Sequence, residues 1–332
     1  ESCLVVLTCI SYIVPQREDL IAPLDETITA TVGAMLTKRP HGEAGMSPMD
    51  NAKAVILRSR FCLLQGYYAD VLFTKDENAF KDSIQFLFES IAQQEGYDQV
   101  VAYGCIDTIS IIVTDKDVTP RMHQYLDFIV KTLAELVTVA KIDIVSFYDF
   151  ITDFIKINCK MLAGPPVLQL ASSFVARVEH EAHQKAKGLE SDRSLIVTDK
   201  CCGLLKVIVE SPVLMPAMAA QIEECLQPLY RCMKEPKAVS FDDHVVGLLK
   251  LFIRKVQGVT PIMWEVFACL PNVLEKNKKQ LGSLLDTVNF YMFYGKEAFA
   301  SSPDSILVVA RMIELAMNTG KALGDSEAAV LL

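Results

Sequence analysis

A recurring proline constrains the fold of this chain more than any other feature. Thr119-Pro120, Gly164-Pro165, Ser211-Pro212, Thr260-Pro261 and Ser302-Pro303 each open an apolar helical pattern, at separations of 45, 47, 49 and 42 residues. Proline in the first helical turn forfeits no hydrogen bond, because that amide has no partner inside the helix. A preceding threonine, serine or glycine suits the N-cap. Five such sites at near-constant spacing mark one structural event repeated along the chain.

A second helical pattern runs ahead of each proline. Val101, Cys105, Ile109 and Ile112 recur at steps of three and four, as do Val145, Tyr148, Ile151 and Ile155, which is one face of a helix in each case. Leu204–Val209, Val245–Val256 and Leu281–Tyr294 lead into the next three prolines. The unit is helix, short turn, helix in roughly 45 residues, the period of HEAT and armadillo arrays. Upstream the pattern continues without the proline, with helices expected over Cys3–Val14, Arg17–Leu36, Asn51–Phe73 and Glu77–Gln93 and a turn at Thr74-Lys75-Asp76. The expected fold is all-α, a curved superhelical α-solenoid of about seven HEAT-type helix pairs forming a single domain over 1–332. The approximate pairs are 1–37, 51–94, 98–139, 142–186, 194–234, 240–275 and 277–319, with loops near 38–50 and 185–193.

Composition agrees with such a stack. Hydrophobic residues make up 51% of the 332 residues and charged residues 22%, which excludes a disordered chain. Stacked helix pairs bury faces against both neighbours, so mean hydropathy can be high without one globular core. The longest apolar run, Leu4–Val14, covers 11 residues, whereas a membrane span needs about 20. Net charge is −9, which disfavours nucleic-acid backbones and anionic membranes and suits basic partners. The ten cysteines include no C-x-x-C pair. Cys62, Cys105, Cys159, Cys225 and Cys269 lie in apolar helical patterns, so the expectation is reduced thiols in an intracellular protein. The start at Glu1, inside a helical pattern, reads as a fragment of a longer chain.

No enzymatic constellation emerges, and no cofactor is called for. His180-Glu-Ala-His183 places its histidines at i and i+3, whereas the zinc-protease pattern needs i and i+4. Cys201-Cys202 reads as small packing residues, since neighbouring helical positions point apart. There is no phosphate-cradling glycine loop, and His41, His123, His180, His183 and His244 are scattered. Trp264 shares a stripe with Met263, Val266, Phe267 and Leu270 and reads as core. The run Phe290-Tyr-Met-Phe-Tyr294 suits packing between repeats, or a groove for an apolar peptide. Lys276, Lys278 and Lys279 read as solvated.

The stretch Arg58-Ser-Arg-Phe-Cys-Leu-Leu-Gln-Gly-Tyr-Tyr-Ala-Asp-Val-Leu-Phe73 resembles a helix of the importin-β (karyopherin) superfamily, most like the branch containing importins seven and eight. Three later stretches are collinear with that branch. They are Val100-Val-Ala-Tyr-Gly-Cys-Ile-Asp-Thr-Ile109, Asp199-Lys-Cys-Cys-Gly-Leu-Leu-Lys-Val-Ile-Val209, and Phe241-Asp-Asp-His-Val245 leading to Val259-Thr-Pro-Ile-Met-Trp264. The likeness is to the central and C-terminal repeats of the family. Where the family carries a strongly acidic loop, this chain has Glu190-Ser-Asp192.

The resemblance implies a non-enzymatic nuclear transport receptor that shuttles between cytoplasm and nucleus. Cargo would bind along the concave face, Ran·GTP would release it, and Phe-Gly nucleoporins would slot between outer helices. Ran would be bound mainly by repeats upstream of Glu1. In that family second helices line the concave face. Here the second helices carry Asp76, Glu77, Asp82 and Glu89, and, as the candidate cargo-binding residues, Asp127, Glu135, Glu179, Glu181, Glu223 and Glu224. Carboxylates spread along an arch attract Lys/Arg-rich protein cargo with salt-sensitive affinity. The same period fits a HEAT scaffold of another class, such as a phosphatase regulatory subunit, and an exportin of the same superfamily.

Overall fold

The computed structural model describes residues 48–67, 69, 77–92, 99–114, 118, 120, 123–138, 145–189, 192–233 and 242–323. The expected pair over 1–37, most of the loop over 38–50, the turn 74–76 with Asp76, and Glu190 with Ser191 lie outside the described residues. Every regular element among the described residues is a helix, so the all-α class holds there. No helix among them is long and apolar enough to cross a membrane. By its internal contacts the chain divides into two units, Glu1–Ile157 and Asn158–Leu332.

In the first unit α1 (Pro48–Tyr67), α2 (Glu77–Ala92), α3 (Gln99–Thr114) and α4 (Leu126–Thr138) follow one another, with a 3-10 turn at His123–Tyr125, and α5 (Val145–Asn158) ends at the boundary. α3 packs against both α1 and α2, and α2 against α4. The stripe Val101, Cys105, Ile109 and Ile112 on α3 is buried throughout. Val101, Ile109 and Ile112 each contribute about 1.5–3 kcal/mol by leaving water. Phe61 of α1 meets Phe86 of α2 edge-on, and Phe88 meets Phe128 of α4 likewise.

The crossing of α1 and α3 is close because two glycines face it. A Cβ on Gly104 would stand 2.8 Å from Ser59 Oγ and 3.1 Å from the Ser59 carbonyl oxygen, and one on Gly66 would stand 3.3 Å from Thr108 Cα. The obstacle at Gly104 is partly backbone, which yields only if the helices separate. Gly104→Ala gains about 1 kcal/mol of helix propensity but overpacks this crossing by about 1–3 kcal/mol. The expected net result is a lowered urea midpoint; an unchanged or raised midpoint would show that the crossing opens freely.

The second unit contains α6 (Pro165–Ala186), α7 (Asp192–Glu210), α8 (Leu214–Cys232), α9 (Asp242–Val256), α10 (Pro261–Phe267), α11 (Leu270–Lys276), a 3-10 turn at Lys278–Gln280, α12 (Leu281–Tyr294), α13 (Lys296–Ser301) and α14 (Pro303–Leu323). The first three helices here touch both their successor and the helix after it. α6 packs on α7 and α8, α7 on α8 and α9, α8 on α9 and α10, and α9 on α12. Farther on, α11 packs on α12 and α14. α9 buries Val245, Val246, Leu248, Leu249, Phe252 and Ile253 at once, which a helix sandwiched between two neighbours requires.

The prolines act as local chemistry dictates. Pro165, Pro261 and Pro303 are the first residues of α6, α10 and α14. The Thr260 hydroxyl accepts from the Met263 amide at 3.4 Å, and the Ser302 hydroxyl from the Ser305 amide at 3.3 Å. Pro212 stands two residues ahead of α8, where the Ser211 hydroxyl accepts from the Val213 and Leu214 amides. A single helix after Pro261 does not form, because Pro271 lacks the amide needed to continue the ladder, and α11 restarts at Leu270. α6 ends where Gly188 takes φ +74°, a left-handed conformation that favours glycine, with the Leu189 amide donating to the Gln184 carbonyl.

Candidate functional site

Helical geometry sorts the six candidate carboxylates. Asp127 and Glu135 are both exposed on α4 of the first unit. The other four lie on α6 and α8 of the second unit and point in different directions. Positions i and i+2 on a helix diverge by about 200°, and neighbours by about 100°. Glu179 is therefore half-buried on the α8 side of α6, while Glu181 is buried against α7. Glu224 is exposed, and Glu223 turns inward to 8% exposure.

The two inward carboxylates are held by structural partners. Glu181 forms an ion pair with Arg177 at 2.8 Å and accepts the hydroxyl of Ser194 on α7. Glu223 accepts the hydroxyl of Thr260, the N-cap of α10. Glu181 ties α6 to α7 and Glu223 ties α8 to α10, and neither offers its charge to a partner molecule.

Glu179 and Glu224 come together. A groove of about 410 Å³ runs between α6 and α8, with Leu168, Val175, Ala176 and Pro228 as its apolar lining and the two carboxylates beside them. The helices approach here through small groups, Ser172 Oγ lying 3.4 Å from Cys225 Sγ. Neither carboxylate has an ion-pair partner among the described residues. Burial raises the pKa of Glu179 above its ordinary value, and the nearby His183 and Arg231 oppose that only in part. A cation entering the groove would offset this desolvation. The lining was legible as small residues four apart, Ser172 and Ala176, two turns and one turn before Glu179 on the same helical face. Proline inside a helix, Pro228, marks the facing wall.

A second groove, of about 450 Å³, lies where Trp264 meets α14, lined by Pro261, Ala298 and Val308 with Glu265 and Asp304 among its residues. Trp264 is half-buried and belongs to an aromatic cluster with Phe267, Tyr291 and Phe299. The aromatic run of α12 divides accordingly. Tyr291 is fully buried, whereas Phe293 is 63% exposed with the Lys296 ammonium 5.2 Å from its ring centre.

The remaining sequence candidates have ordinary surroundings. His180 and His183 are exposed, and His183 Nδ1 lies 2.9 Å from the Glu179 carbonyl oxygen of its own helix. Among the described residues no three His, Cys, Asp or Glu side chains group as a metal site. Cys201 and Cys202 are buried in α7, and burial raises both thiols, Cys202 to about 12. Lys278 and Lys279 are exposed and Lys276 half-buried. Comparison with protein-family models, with curated proteins and with solved structures finds no match for this chain.

Proposed function

We propose that the chain is a non-enzymatic, protein-binding HEAT-type solenoid of the nuclear transport receptor kind its sequence resembles, and that a basic cargo segment docks in the α6–α8 groove. The observation that carries the reading is the pair Glu179 and Glu224, unpaired among the described residues, over an apolar lining on two successive second helices. A lysine or arginine suits that combination, because its aliphatic stem covers apolar surface while its charge meets the carboxylates. The packing of α6, α7 and α8 each on its successor and on the next but one supports a two-row stack of helix pairs. The aromatic groove at Trp264 offers a place for an apolar nucleoporin segment. Shuttling between cytoplasm and nucleus and release of cargo by Ran·GTP belong to the same proposal.

The test is fluorescence anisotropy with a Lys/Arg-rich peptide at low and at physiological salt. Affinity is expected to fall as salt rises. The pair Glu179→Lys and Glu224→Lys is expected to weaken binding about tenfold or more at low salt, as reversal of two complementary charges does. Glu179 ionises only above its raised pKa, so affinity should increase with pH through that range. An unchanged affinity in the reversed pair sinks the groove as a cargo site. Ran loaded with GTP is expected to displace the peptide from the protein while the GDP form does not. Displacement by neither form would leave a non-transport HEAT scaffold as the better reading.

A further inference from the structure

We infer that Cys62 and Cys105 form a latent disulfide, a redox-sensitive staple joining α1 to α3 within the first unit. The two sulfurs lie 3.4 Å apart, and both side chains are fully buried. A disulfide needs its sulfurs at about 2.05 Å and its Cα atoms within roughly 7 Å. The helices run close at this level, because the neighbouring residue Gly104 has no Cβ and one placed there would stand 2.8 Å from Ser59 Oγ and 3.1 Å from the Ser59 carbonyl oxygen. Sulfurs already in contact need only a further approach of about 1.3 Å to reach bonding distance.

The surroundings explain why the pair rests as thiols. The sulfur hydrogen bond with Cys62, and then burial, hold the Cys105 thiol well above its ordinary range; Ser90 and Arg58 oppose this by less. The attacking species is the thiolate, so the closed crossing is inert. An oxidant reaches the pair when α1 and α3 separate locally. With a hydroperoxide as oxidant, one thiol loses its proton and attacks an oxygen, breaking the O–O bond and releasing water from hydrogen peroxide. This leaves a sulfenic acid. The second thiol attacks that sulfur, the S–O bond breaks, the S–S bond forms, and a second water leaves. Each sulfur has lost one electron and both peroxide oxygens are reduced.

The link would span 43 residues of sequence. Constraining that much of the unfolded chain raises the melting midpoint of the first unit by about 10 °C. The whole protein is treated with hydrogen peroxide in urea just below its unfolding transition, where local opening removes the access barrier. Remaining thiols are then blocked, and the protein is digested without reductant for mass spectrometry. The expected result is a Cys62–Cys105 linked peptide 2 Da lighter than the paired thiols, together with a raised midpoint that dithiothreitol reverses. Recovery of both residues as blocked thiols, linkage of either to another cysteine, or a link that leaves the midpoint unmoved would each overturn the inference.

Discussion

Replacing Arg177 by methionine is expected to remove about 3–5 kcal/mol of folding stability, the range for breaking a buried ion pair from one side. The guanidinium is 2% exposed and stands 2.8 Å from a Glu181 carboxylate that is itself 10% exposed. Methionine fills much of the volume, so the loss is electrostatic rather than a cavity. What stays behind is a desolvated carboxylate whose remaining named support is the hydroxyl of Ser194. The double replacement, Arg177→Met with Glu181→Leu, is expected to return to within about 1 kcal/mol of the wild type, because apolar side chains of similar size replace such pairs at little cost. Urea denaturation of the three variants reads both numbers, and the coupling follows from the cycle. A single variant that loses less than about 1 kcal/mol would mean that Glu181 finds water once its partner is gone.

That ion pair also shows where sequence reading reaches and where it stops. Glu181 shares a helical face with Phe174 and Val178, seven and three residues earlier, and both are buried. Glu179 shares its face with Ser172 and Ala176 at the same offsets. The period alone therefore turns Glu181 toward the core and Glu179 toward the groove. Glu223 follows the same rule, with Leu226 and Tyr230 on its face, while Glu224 shares its own with Gln227 and Arg231. Taking every acidic residue on a second helix as one class hides this distinction. The partners are a different matter. Ser194 and Thr260 lie 13 and 37 residues from the carboxylates they bind, on other helices. No periodicity within α6 or α8 names them.

The helix starts were more legible than the helix lengths. Thr260-Pro261 and Ser302-Pro303 specify starts through local chemistry, a hydroxyl cap and a missing amide, which needs no tertiary context. The stops depend on competing signals. Pro271 interrupts what apolar spacing alone continues from Pro261 toward Glu275, and Gly295 ends α12 where a side chain would strike a ring. The two-unit division follows from contact density across the whole chain and has no counterpart in the regular proline spacing. The Cys62–Cys105 approach is equally remote from sequence pattern. It depends on the α1–α3 crossing, which two glycines 38 residues apart make close.

Tyr291→Ala is expected to cost about 3–5 kcal/mol, the range for emptying a large aromatic site in a core. Tyr291 is fully buried, its ring centre 4.6 Å from that of Phe267 and 5.2 Å from that of Trp264. Its hydroxyl donates to the Met263 carbonyl at 2.6 Å, tying α12 to α10. Tyr291→Phe keeps the ring and removes only the donor, while the Met263 carbonyl keeps its place in the α10 ladder, so its expected cost is about 0.5–1.5 kcal/mol. The gap between the variants measures packing apart from the hydrogen bond. Burial, followed by the influence of Tyr230, Cys269 and Glu223, raises the phenol well above its ordinary pKa. A raised folded-state pKa gives stability that is complete below the unfolded value, about 10, and is lost as pH climbs toward the folded value. Stability should thus fall above about pH 10 in the wild type and fall less steeply in Tyr291→Phe. Trp264, the chain's single tryptophan, sits against the mutated ring and makes its own fluorescence the readout. Equal, small losses in both variants would show that the ring is not a keystone of the Trp264 cluster, and the apolar groove beside it would then lose its rigid wall.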